Sequence, residues 1–401
     1  MKRNSRREFL KSSTLASASL LIPQFLKASQ GITLSEATRP RNLVVIQLSG
    51  GNDGLNCVVP YRNDIYYKLR PKLAINSEEL IKLDSETGLN PVMGGIADLY
   101  HEGNAVLINS VGYPNPNRSH FRSMDIWQSA SGSDEYLSSG WLGRVLDSTC
   151  NDNCVPPHFA VEVSDSLSLA LKGEMQSGFA LRDPRTVRRA KENEVLNELA
   201  HLKEDHTHPE AAFLHKVMTD TWESTAYLQE AMKKYRSVKI YPGGKFGQQL
   251  KTVAELIISE ADTRIYYLSL GGFDTHAGQR GAQDRQLKNW SEAVTVFCNE
   301  LKEQGFFKDT IVLTFSEFGR RVEQNAANGT DHGTANNVYV FGGGLKKSGM
   351  YNDLPDLEDL IDGDLKYQTD FRAIYATLID KWLNQDANAI LNGHFGSVDF
   401  L

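Results

Sequence analysis

With four cysteines and 13 prolines in 401 residues, the chain is neither a small disulfide scaffold nor a proline-rich polymer, and its 32 glycines follow no collagen-like period. Stability must come from apolar packing. Positive charge is also scarce: 43 Lys and Arg stand against 50 Asp and Glu, a net −7. Residues 1–30 hold Lys2, Arg3, Arg6, Arg7, Lys11 and Lys27 against Glu8, a net +5, which leaves −12 for the remainder. So acidic a body argues against nucleic acid as a partner, because phosphate binding draws on clustered Lys and Arg. Long apolar runs are missing too. The mild stretch at 15–22 is well short of the roughly 20 residues that span a bilayer, and no stable transmembrane span is expected. What remains is ordinary globular composition, 40% hydrophobic and 23% charged, without repeats or low-complexity segments.

The basic start has a grammar of its own. Ser5-Arg6-Arg7-Glu8-Phe9-Leu10-Lys11, followed by the apolar stretch, resembles the S-R-R-x-F-L-K motif of bacterial twin-arginine signals. The resemblance implies a signal peptide over 1–30, passage through the twin-arginine translocase, and a periplasmic or secreted protein. That route carries folded chains, so a metal or cofactor would be loaded before export. Cleavage is expected near 28–31, although no clean A-x-A marks it; an uncleaved anchor and a basic amphipathic start are the other readings.

Along the body, strand and helix signals alternate. Residues 42–49 form a continuous β-branched run, as in a strand buried on both faces, that ends in Gly50-Gly51-Asn52-Asp53-Gly54. Similar runs recur at 105–111, 264–270, 310–315 and 337–341, with helical patterns such as 287–304 and 370–383 between them. The fold class predicted is α/β, a mainly parallel central sheet flanked by helices, in one domain over 40–401. The charged, glycine-poor stretch at about 183–241 spaces Phe213, Val217, Trp222, Tyr227 and Met232 at helical intervals and reads as a helical insertion, a lid over the site.

Polar residues gather just after the strand runs, where ligands bind in open α/β sheets. The first run supplies Asn52 and Asp53, the third Asp274 and His276, the fourth Glu317, and the approach to the fifth Asp331 and His332. Carboxylate and imidazole in this proportion suit a divalent ion that activates a nucleophile. Each piece taken alone has a plainer reading as a turn, a helix cap or a hydrogen-bonded histidine.

Strand-GGNDGLN, SHFRSMDIW, GGFDTH, TFSEFGR and DHGTANNVYVFGGGLK, behind a twin-arginine signal, resemble the bacterial family catalogued as domain of unknown function 1501, over nearly the whole body. That family is similar to the alkaline phosphatase and sulfatase superfamily. The resemblance implies an alkaline-phosphatase-like fold, Zn, Mn, Mg or Ca as cofactor, and hydrolysis of small-molecule or glycan esters of phosphate or sulfate. It implies metal ligands at Asp53, Asp274, His276, Glu317, Asp331 and His332. The chain departs from the superfamily at Phe318, where a histidine is usual, and at the two-residue step from Asp274 to His276, commonly four; the first puts one of two metal positions in question. No sulfatase C-x-P-x-R follows the second strand run. Ser119, near an expected helix start, is the candidate nucleophile, with Arg118, His120 and Arg122 placed to bind an oxyanion. Ser119 as a helix cap, Ser123 as nucleophile, and a metal-bound water are the alternatives. A non-catalytic secreted binding or assembly protein with a degenerate site is the other functional reading.

Remaining signals are weaker. Cys150 and Cys154 could pair after export, while Cys57 and Cys298 read as buried thiols. His201, His206 and His208 read as a solvated surface, 342–344 as a turn and 353–364 as a solvent-facing acidic stretch.

Overall fold

All five strand runs enter one nine-stranded sheet in the computed structural model, which describes residues 39–150, 154–182 and 209–401. The twin-arginine segment and residues 183–208 of the expected insertion, His201, His206 and His208 among them, lie outside the described residues. In chain order the strands are β1 (Asn42–Leu48), β2 (Ala105–Gly112), β3 (Ala160–Glu162), β4 (Phe179–Ala180), β5 (Ile265–Leu270), β6 (Thr310–Phe315), β7 (Asn336–Gly342), β8 (Gly349–Met350) and β9 (Thr369–Asp370). Their order across the sheet is β8-β2-β7-β6-β1-β5-β3-β4, with β9 also on β2. Only β7 runs against its neighbours β2 and β6; the other pairings are parallel. The fold is thus α/β with a mainly parallel sheet.

At the centre, Val45 of β1 stands level with Tyr267 of β5 and Leu313 of β6. Every residue of β1 is buried, as its run of apolar residues from Leu43 to Ile46 requires when helices cover both faces. Val44, Ile46 and Leu48 point to one face, against Ile96 and Leu99 of α1 (Gly94–His101), Leu250 of α5 (Lys245–Ile258) and Trp290 and Phe297 of α6 (Gln279–Gln304). Leu43 and Val45 point to the other, against Trp127 of α2 (His120–Ser129), Trp141 of α3 (Trp141–Ser148) and Tyr375 of α7 (Phe371–Thr377). Trp127 stacks between Phe315 and Phe371, with ring centroids 4.8 Å and 4.3 Å away, which clamps α2 to the end of β6. Past 183–208, Pro209–Ala231 forms the helix α4.

This topology decides where side chains can meet. The carboxyl ends of β1, β5, β6 and β2 open on one edge, which is where ligand crevices form in such sheets. Because β7 runs the opposite way, residues just before it return to that same edge. Five loops therefore converge: 49–53, 113–119, 271–276, 316–320 and 331–335. Cys150 and Cys154 are joined in a disulfide, and Cys57 and Cys298 are free and buried. Among the described residues no helix is long and apolar enough to cross a membrane.

Candidate metal centre

Two glycines let the loops close. Gly50 and Gly51 adopt φ of +119° and +68°, and a Cβ would lie 2.4 Å from the Asp274 backbone nitrogen at the first and 2.2 Å from the Phe318 ring at the second. Above them the buried Arg320 guanidinium donates to the carbonyls of Gly50, Gly51, Phe273 and Thr330 and, at 2.7 Å, to Asp274 Oδ1. One cation thus ties the ends of β1, β5 and β6 together and aims Asp274.

Three histidines converge on that carboxylate. The Nε2 atoms of His276, His332 and His120 stand 3.1 Å, 3.4 Å and 3.5 Å from Asp274 Oδ1, and His276 Nε2 is 2.9 Å from His332 Nε2. Ligand atoms about 2.0–2.1 Å from a tetrahedral zinc stand about 3.3–3.4 Å apart, close to these spacings. His120, Asp274 and His332 each offer an atom within 4.8 Å of the other two. His120 Nε2 is buried without a hydrogen-bond partner.

Each imidazole is anchored through its other nitrogen. His120 Nδ1 bonds to Glu317 Oε1 at 2.8 Å, His276 Nδ1 to Asp331 Oδ1 at 3.3 Å, and His332 Nδ1 to the Arg118 carbonyl at 2.8 Å. A carbonyl only accepts, so His332 Nδ1 carries the proton, and in the neutral ring Nε2 presents a lone pair; an ionised Asp331 imposes the same on His276. Two lone pairs 2.9 Å apart repel unless a shared proton or a metal ion lies between them. The donor set therefore fits a metal ion. The Asp274 and His276 side chains remain 50% and 45% exposed, which leaves one side open to solvent.

The ionisations follow from these contacts. Burial would raise the Asp274 carboxyl, but Arg320, with His332 and His120, more than reverses this and holds it at about 2. The Glu317 hydrogen bond raises His120 above its ordinary value of 6.5 against the opposing effect of burial, and burial lowers His332. Metal uptake must displace the proton that Glu317 favours on His120. Metal affinity is therefore expected to fall as pH drops through the imidazole range, with His120 protonating before His332. Titration with a metal-sensitive dye at several pH values checks this, and a flat profile contradicts it.

Of the residues expected as ligands, Asp274, His276 and His332 lie together. Glu317 and Asp331 stand one step back, behind His120 and His276; Glu317 is fully buried and also accepts from the Gly50 amide at 2.8 Å. Asp53 is placed otherwise than expected. Its two oxygens are held by Arg70, at 2.6 Å and 3.0 Å, and by Gln279, at 1% exposure, so it serves a buried ion pair. Phe318 lies with its ring centroid 4.8 Å from both the His120 and His332 rings, bracing two donors.

The expected anion-binding group divides. Arg122 donates to the carbonyls of Gly132, Ser133 and Glu135 and lies over the Tyr136 ring, so it ties down the loop after α2. Arg118 pairs with the buried Asp364. Ser119 is the exposed N-cap residue of α2, yet its hydroxyl makes no capping bond, while Ser123 is buried against Tyr113 and the Asn117 carbonyl. Sequence reasoning points His120 to an oxyanion, and the structure places it in the cluster. Its place soon after the end of β2, like that of His276 after β5, is the signal that finds it.

Comparison with solved structures returns low scores. The PsFucS1 sulfatase from Pseudoalteromonas sp. is 11% identical, with 94% of this chain and 72% of that chain covered at a TM-score of 0.38. The C-terminal periplasmic domain of EcEptC from Escherichia coli is 8% identical, with 77% and 75% covered at 0.36. Alkaline phosphatase from the Antarctic bacterium TAB5 is 10% identical, with 79% and 95% covered at 0.32. Scores this low leave the chemistry to be argued from the chain's own residues. No curated protein matches the sequence. The family described as protein of unknown function (DUF1501) matches residues 40–397, and the chain belongs to that family.

Proposed function

We propose that this protein is an exported, metal-dependent hydrolase of phosphate or sulfate esters. The observation that carries the metal is the convergence of three anchored imidazoles on Asp274 at an exposed sheet edge. The ester class draws on the likeness of GGND, GGFDTH, TFSEFGR and DHGTANN to the alkaline phosphatase and sulfatase superfamily, and export on the twin-arginine motif.

In this reading His120, Asp274 and His332 hold the ion with His276 beside them, and an imidazole-rich set favours Zn over Mn, Mg or Ca. When bound, the ion supplies a Lewis acid that steadies negative charge on the transferring group. Glu317, Asp331 and the Arg118 carbonyl occupy the Nδ1 atoms, so that Nε2 is the atom each ring turns toward the ion. Ser119 sits between Arg118, whose carbonyl holds His332, and His120, so its backbone is tethered to the centre from both sides. Its hydroxyl is free of a capping bond and presents the nucleophilic oxygen. The first amides of α2, which lack helical partners, face incoming anionic oxygen.

Ser119→Ala is expected to lower turnover of chromogenic esters by at least about 10³-fold with metal content unchanged. Full activity in that variant would move the role to Ser123 or to water; loss of metal as well would make Ser119 structural. A second reading, a non-catalytic binding or assembly protein, is favoured by Phe318 and by the closed Asp53–Arg70 pair, which leave one cation position where the superfamily has two. It takes the lead if metal-loaded wild type hydrolyses nothing in a panel of phosphate and sulfate esters.

A further inference from the structure

Far along the chain from the metal loops, the connection between α4 and α5 combines two features that oppose each other in a water-facing loop. Val238 and Ile240 are 87% and 90% exposed, more than any other large apolar side chain among the described residues. They sit in Lys233-Lys234-Tyr235-Arg236-Ser237-Val238-Lys239-Ile240-Tyr241-Pro242-Gly243-Gly244-Lys245, a run with five cations and no acid in a chain whose net charge is −7.

The exposure is built in. Tyr235 and Tyr241 donate to the two oxygens of the buried Glu300, at 3.0 Å and 2.6 Å, and so pin the loop to α6 on both sides of the tip. Between them the buried Ser237 donates its amide to Glu255 at 3.2 Å, and its hydroxyl accepts from the Lys239 amide at 3.2 Å. Lys251 Nζ holds the Lys239 carbonyl at 3.3 Å. With Ser237 and Tyr241 turned inward, Val238 and Ile240 have only the outward direction left. Lys233, Lys239 and Lys245 pair with Glu230, Glu303 and Asp165, whereas Lys234 and Arg236 are exposed with no ion pair among the described residues.

We infer that this loop docks on an anionic lipid surface. Two aliphatic side chains held out by a hydrogen-bonded loop enter the acyl boundary without an ordering cost, and the surrounding cations meet the headgroup charge. Charge complementarity selects the occupant: a neutral apolar partner would gain nothing from Lys234 and Arg236.

Sedimentation of the full chain with vesicles of seven parts phosphatidylcholine to three parts phosphatidylglycerol tests this. Wild type is expected to bind these vesicles, to release as salt rises, and to ignore pure phosphatidylcholine. Val238→Ser with Ile240→Ser is expected to weaken partitioning about tenfold or more, and Lys234→Gln with Arg236→Gln to flatten the salt dependence. The tip residues are exposed, so the melting temperature should not move, and ester turnover should stay as in wild type. Absence of wild-type binding, or equal binding by the Val238/Ile240 variant, overturns the inference. A concentration-dependent dimer that dissolves in that variant would give the tip to a second copy of the chain and overturn it equally.

Discussion

His332→Ala is expected to leave the purified protein with little or no bound metal after dialysis against a dilute chelator. The side chain contributes Nε2 to the group around Asp274 and is held by the Arg118 carbonyl, 2.8 Å from Nδ1. Removing it takes away one of the clustered donors and leaves a gap beside Phe318 that water can enter. Loss of a residue that only supports a donor typically weakens metal binding by about 10–100-fold, and loss of the donor itself should exceed that. Glu317→Gln provides the scale, because it keeps the shape behind His120 and removes the charge that orients Nδ1. Elemental analysis should therefore rank wild type above Glu317→Gln, and Glu317→Gln above His332→Ala. Circular dichroism should show all three folded. Full stoichiometry in His332→Ala would remove His332 from the centre.

Arg70→Ala is expected to cost about 3–5 kcal/mol of stability, because it leaves the Asp53 carboxylate buried and uncompensated. Arg70 is fully buried, and every donor of its guanidinium is used: Nε to the Val322 carbonyl at 2.8 Å, Nη1 to Asp53 and Asn56 at 2.6 Å and 3.0 Å, Nη2 to Asp53 and the Arg321 carbonyl at 3.0 Å and 2.9 Å. The pair thus joins the loop after β1 to the segment that carries Arg320 and Arg321. Asp53→Asn combined with Arg70→Met should be milder than either charge deletion alone, since no isolated charge remains. Urea unfolding measures the difference. The same variants bear on the role of Asp53: as a structural partner it leaves metal stoichiometry at the wild-type value when Arg70 is removed, whereas as a ligand freed from competition it would raise it.

Much of this arrangement was legible in the residues. The five strand runs are rich in apolar residues because helices cover both faces of the sheet, and the polar groups after the first four collect at one edge because those strands are parallel. The reversal of β7 left no mark in its composition, yet it is what returns His332 to the edge where Asp274 and His276 lie. His120 was hidden by its setting: Ser119 and Arg122 beside it fit a helix start and an anion site equally well. The division of the carboxylates was out of reach for another reason. Whether Glu317 touches an ion or stands behind a histidine depends on a contact with His120, 197 residues away in sequence. Asp53 likewise met Arg70, which follows the short helix Asp64–Leu69 and belongs to no motif that spacing would reveal.

Anomalous diffraction from crystals of metal-loaded protein, recorded on both sides of the metal's absorption edge, tests the central claim most directly. The account predicts one strong peak at about 2.0–2.2 Å from Asp274 and from the Nε2 atoms of His120 and His332, beside His276, with Asp53 still paired to Arg70. A peak bound to Asp53, or no peak between the histidines, would contradict it.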